Sequence, residues 1–288
     1  MIKNNNNNNI PFDELKGVVI TSSIEKLCKS LRFNANTPHP KPLLCMVAGH
    51  SLYQSCLDKI PSTALLIDPP GNLETNQLRQ MLKQTHKQKV YVSFPKHTAT
   101  YVKDAISLSR QIPNGHVFFC HNNSNETADL EQVFNHHPEG MLKSMAIHEL
   151  ALLVSFFGVT VESIAKFKVN TGKLFSELLE FGGRTDFARF AFKITTTTNR
   201  SVSVMCDTCG GSVSFAVVKD VNGLEVRKFE TNLNEWENQQ IDFLNCLVEN
   251  MLDSKNDQTA LPTLETALEA QRLAEYCTEK LQAALNAA

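Results

Sequence analysis

At 288 residues with 42% apolar content, the chain can bury a sizeable core as one large domain or two ordinary ones. Its 28 basic and 30 acidic residues leave a formal net charge of −2, which argues against nucleic acid and against an anionic membrane surface as partners. The longest apolar run, AIHELALLVSFFG, carries polar residues and stops well short of the roughly 20 residues that span a bilayer, so no membrane helix is expected.

Residues 1–16 hold an asparagine tract where a secretory signal would need an apolar centre; they read as a disordered leader, and a cytoplasmic location is expected. Strand-like and helix-like runs then alternate. KGVVITSS, PLLCMVAGH, TALLIDPP, KVYVSFP and GHVFFCHN read as strands, and the amphipathic segments between them as crossover helices. This alternation predicts an α/β unit over 17–121 with a Rossmann-like parallel sheet. A polar stretch without periodicity, HNNSNETADLEQVFNHHPEG, marks the boundary.

From about residue 140 a helix runs to about 157. Five runs with alternating or β-branched residues follow: ESIAKFKVN, FARFAFKITTTT, RSVSVMCDT, GSVSFAVVKD and LEVRKFET. They predict a largely antiparallel sheet in an α+β unit over 122–288. Two helical segments close the chain, the last opening at Thr263 with Glu265 and Glu269 in its first turns and free to return onto the first half.

The eight cysteines are scattered through apolar stretches and read as buried reduced thiols. Cys206 and Cys209 have the spacing of half a zinc site or a redox pair, but no second CxxC or CxxH accompanies them. His121, His136 and His137 fall in the boundary stretch without metal-ligand spacing, and no metal is expected.

On this layout, KVYVSFPKHTATYVKDAISLS, GMLKSMAIHELALLVSFFG and LPTLETALEAQRLAEYC resemble the Gfo/Idh/MocA family of NAD(P)-dependent oxidoreductases, and SMAIHELA is similar to the catalytic-helix stretch of inositol dehydrogenases. The resemblance implies NAD or NADP as cofactor and a sugar or cyclitol substrate in an inter-domain cleft. It also implies a homo-oligomer formed through the C-terminal sheet.

The positions that carry this chemistry are replaced. A Rossmann phosphate loop excludes Cβ atoms at three glycines, yet the matching turn reads Thr21-Ser22-Ser23-Ile24-Glu25. Ser22 and Ser23 remain as backbone-capping candidates for the cofactor site. His50 stands where NAD enzymes carry an acid for the ribose, and Pro69 in the third strand's Pro-Pro end completes the candidate cofactor positions. The family's Glu-Lys-Pro motif corresponds to Ser93-Phe94-Pro95, and Phe94 has no proton to give. Lys96 lies two positions later.

The Asp-x-x-x-His pair corresponds to Ser144 and His148, so His148 lacks a carboxylate four residues earlier to favour its charged form. His148 and Lys96 are the proton-handling candidates. Joint loss of the phosphate-loop glycines, the ribose acid, the lysine and the helix aspartate predicts a binding or regulatory protein on an oxidoreductase scaffold. An active NAD(P)-dependent oxidoreductase is the alternative.

Overall fold

The computed structural model describes residues 44–47, 64–67, 74–84, 90–231, 235–252 and 261–287. The leader, the strand expected at 16–23 and the candidate cofactor positions Ser22, Ser23, His50 and Pro69 lie outside them.

Strands β1 (Leu44–Val47), β2 (Ala64–Ile67) and β3 (Val90–Val92) form a parallel sheet in that order, with Leu44 opposite Ala64 and Leu65 opposite Val90. These are the apolar runs expected as strands. Helix α1 (Thr75–Gln84) crosses from β2 to β3 and buries Leu78 and Met81 at helical spacing.

A single 3-10 turn, Pro95–His97, leads from β3 into α2 (Thr100–Gln111). Proline at the first position suits such a turn, because its fixed φ is already helical and its missing N–H would have had no partner.

Strand β4 (His116–Asn122) corrects the expected layout. Its alternation announces a strand but not its neighbours, and it does not join the parallel sheet of β1 to β3. It lies inside a second sheet of seven strands, pairing parallel with β8 (Ser201–Asp207) and antiparallel with β9 (Phe215–Lys219). That sheet runs β10 (Glu225–Glu230), β9, β4, β8, β7 (Arg184–Thr196), β5 (Ile164–Val169), with β6 (Glu177–Phe181) also on β7. All its pairings except β4 with β8 are antiparallel, as the second half predicts.

Two elements escape the sequence pattern. The boundary stretch holds α3 (Leu130–His136), whose Leu130 and Phe134 are buried one turn apart. β6 reads ELLEF, without alternation, and turns into β7 through Gly182 and Gly183 at φ 57° and 79°, conformations that favour glycine.

The molecule's centre is α4 (Met141–Phe157). Ten of its residues are buried, from Met141 to Leu153, because the seven-stranded sheet covers one side and α6 (Leu264–Asn286) the other. α6 also reaches α1 and β3, so the last helix returns onto the first half as expected. Just before it, the Val92 N–H donates to the Pro262 carbonyl at 3.2 Å, which caps the open edge of β3. α5 (Glu235–Leu252) packs on the turn at Pro95–His97.

Candidate functional site

The turn after β3 brings two polar side chains into the core. Lys96 and His97 are 3% and 4% exposed, and both reach α4. Lys96 Nζ donates to Glu149 Oε1 in a buried ion pair, and His97 Nε2 lies 2.9 Å from Ser155 Oγ. A long lysine stem can lie along apolar surface, but a buried ammonium needs a counter-charge, and Glu149 supplies it.

The second carboxylate oxygen of Glu149 faces β4. His121 Nδ1 lies 3.1 Å from Oε2 and 3.0 Å from the Met145 carbonyl. A carbonyl only accepts, so Nδ1 carries the proton. Burial alone would raise the Glu149 carboxyl, yet the Lys96 ammonium and then His121 overcome that and hold it below the usual carboxylate range. Three elements, the turn at Lys96, strand β4 and helix α4, thus converge on one carboxylate.

His148 precedes Glu149 on α4 and is half-buried, with its Nδ1 turned inward. Its ring meets Phe94 edge-on, with centroids 5.8 Å apart. Burial first, and then the Lys96 charge, push its pKa down to about 3, so it is a neutral imidazole at physiological pH. His97 is likewise lowered to about 3 by burial. Phe94, itself 0% exposed, lies with its ring 5.8 Å from both histidine rings.

Ser144 does not serve His148. Its Oγ lies 2.8 Å from Nδ1 of His137, the same nitrogen that sits 3.3 Å from Glu139 Oε1. Because serine and carboxylate share one ring nitrogen, the trio has no Ser-His-acid relay, which needs both nitrogens.

Of the two sequence candidates, the structure therefore brings Lys96 and His148 together around Glu149, which the sequence reading missed. The helix's single acid, set among Ile147, Leu150 and Ala151, was its signal, since a buried carboxylate needs a cation. His121, where the expected strand GHVFFCHN and the boundary stretch overlap, belongs to β4.

Cys206 is buried and Cys209 partly exposed, and both are free thiols. Two surface cavities of about 340 and 400 Å³ open elsewhere, one beside Lys143, Arg184 and Glu275, the other beside His136 and His137. Neither includes Lys96, His148 or Glu149.

No family model and no curated protein matches the sequence. Solved structures do match. Scyllo-inositol dehydrogenase from Lactobacillus casei, with bound NAD(H) and scyllo-inositol, is 13% identical over 90% of this chain and 82% of its own, with a TM-score of 0.60. A dehydrogenase (MviM) from Clostridium difficile is 13% identical over 93% and 85%, with a TM-score of 0.60. The transcriptional regulator Gal80p from Kluyveromyces lactis is 10% identical over 82% and 73%, with a TM-score of 0.57. At such identity the likeness concerns the fold, and it joins enzymes and a regulator. The chain has the mixed α/β fold of the inositol dehydrogenases and their Gfo/Idh/MocA relatives.

Proposed function

We propose that this chain is a binding or regulatory protein that keeps the dehydrogenase fold without hydride-transfer chemistry. The observation that carries this reading is the state of the proton-handling positions. Lys96 is paired with Glu149 at 3% exposure, and the half-buried His148 lies against Phe94 with its pKa lowered to about 3. A general acid or base must reach substrate and hold a pKa near the working pH, and neither group meets both needs.

The test is turnover. With NAD+ or NADP+ and a panel of inositols and sugars, the protein is expected to give no nicotinamide absorbance change above a no-protein control. A rate that Lys96→Met or His148→Leu abolishes would refute the reading.

An active NAD(P)-dependent oxidoreductase is the second reading. One observation favours it: Lys96, Glu149 and His148 form a single cluster, so an opening of the cleft would expose an amine, a carboxylate and an imidazole together.

A homo-oligomer through the seven-stranded sheet belongs to the same proposal. Phe118 and Phe215 pair at 6.1 Å between centroids, with Lys219 and Lys228 over their rings, a half-covered aromatic patch suited to a second copy. Light scattering at micromolar concentration is expected to show a dimer or larger; a monomer would count against it.

A further inference from the structure

One cluster around Glu149 is not needed to explain the fold. His121 and Cys206 are register partners in the parallel β4–β8 ladder, so their side chains leave the sheet on the same face. That face is covered by α4, which presents Glu149. A ring nitrogen of His121, a carboxylate oxygen of Glu149 and Sγ of Cys206 lie within 4.8 Å of one another.

We infer that His121, Glu149 and Cys206 form a site for a borderline-soft divalent transition metal of the zinc type. Nitrogen, oxygen and sulfur donors are the set that Zn2+ takes, with three protein ligands and an open fourth position. Bonds of about 2.0 to 2.3 Å place tetrahedral ligand atoms about 3.3 to 3.8 Å apart, so the three groups need to close by about an ångström. Each ligand stands on a different regular element, β4, α4 and β8, whose backbone is already fixed. Nδ1 of His121 faces Glu149, so metal binding there has to displace the proton that Nδ1 shares with the Met145 carbonyl and Glu149.

Two features set the site's affinity. Cys206 is a buried thiol raised well above its ordinary pKa by desolvation and by Glu149, so forming the metal–sulfur bond releases its proton to solvent. Lys96 competes for Glu149 and adds like charge beside the ion, which makes it a brake on binding. The inference stands apart from the question of dinucleotide binding.

The experiment uses the full chain, stripped with chelator and kept reduced without oxygen, titrated with Co2+ alone and then with Zn2+. The expected result is one Co2+ per chain, a near-ultraviolet thiolate-to-cobalt absorption, and its loss on adding Zn2+. The absorption should vanish in Cys206→Ser and persist in Cys209→Ser. Lys96→Met should bind at least tenfold more tightly, and metal should raise its unfolding temperature. No stoichiometric binding by the unmodified chain, or an absorption that survives Cys206→Ser, overturns the inference whether or not a given variant folds well.

Discussion

Lys96 and Glu149 are worth more to each other than either is to the fold. Replacing Glu149 by Leu leaves a buried ammonium without its counter-charge, and the expected loss of stability is about 3 to 5 kcal/mol. Lys96→Met alone strands the carboxylate to a similar degree. The double variant Lys96→Met with Glu149→Leu is expected to recover most of the loss, because apolar groups of similar size need no partner there. Urea unfolding of the four proteins measures the coupling; additive losses would mean that the pair is not the unit described.

The histidines give this region a pH dependence with a definite sign. His148 and His97 have folded pKa values near 3, below the ordinary value near 6.5, so the unfolded chain binds protons that the folded one refuses. Their contribution is fully present above about pH 6.5 and is lost as the pH falls towards 3, by roughly 1.4 kcal/mol per pH unit for each histidine. The groups around His148 are Lys96, Glu149, His121 and His97. Of these, Glu149 adds a loss of the same sign at still lower pH, since its carboxyl is also depressed. His148→Leu should flatten the slope of stability between pH 6.5 and 4, and an unchanged slope would show that the ring already charges in the fold. From the sequence, His148 and Lys96 were visible as candidates because they stand in or beside family positions. The packing of the Lys96 turn between α4 and α5 and of Phe94 against His148 was not visible, since it joins parts distant in the chain.

Among the elements, α4 shows how local rules and packing agree. It ends at Gly158, which takes φ 63°, and the Val159 N–H reaches back to the Leu153 carbonyl at 3.1 Å, closing the last turn. A Cβ at Gly158 would touch nothing within 4 Å, so Gly158→Ala isolates the backbone strain, and a loss of about 1 kcal/mol is expected in thermal unfolding. No change would mean that the cap does not depend on the left-handed residue.

This helix, the strands β1 to β3 and five of the seven strands of the larger sheet could be read from periodicity alone. β6 could not, because ELLEF lacks the alternation of a half-buried strand, although the Gly182-Gly183 turn beside it was a usable sign. β4 was readable as a strand but not as a member of the second sheet: period two fixes which face a residue takes, whereas the choice between sheets is made by long-range pairing with β8 and β9. α3 was short enough for its two buried residues to be lost among polar neighbours.

At the scale of the whole molecule, α6 ties the last residues of the chain to α4, α1 and β3, and the Lys96 turn is clasped between α4 and α5. At that turn Phe94 and Lys96 are buried, Lys96 is paired with Glu149, and His148 is half-buried and neutral. No single helix among the described residues is long and apolar enough to cross a membrane, and α4, the most apolar of them, is accounted for by burial on both sides.

We propose that this chain keeps a dehydrogenase fold that has lost cofactor recognition together with hydride transfer, and dinucleotide binding tests that most directly. Purified protein is titrated with NADH and with NADPH, following nicotinamide fluorescence and the emission of Trp236, the chain's one tryptophan. The account predicts no saturation up to millimolar cofactor. Saturable binding in the micromolar range, with either dinucleotide, would contradict it.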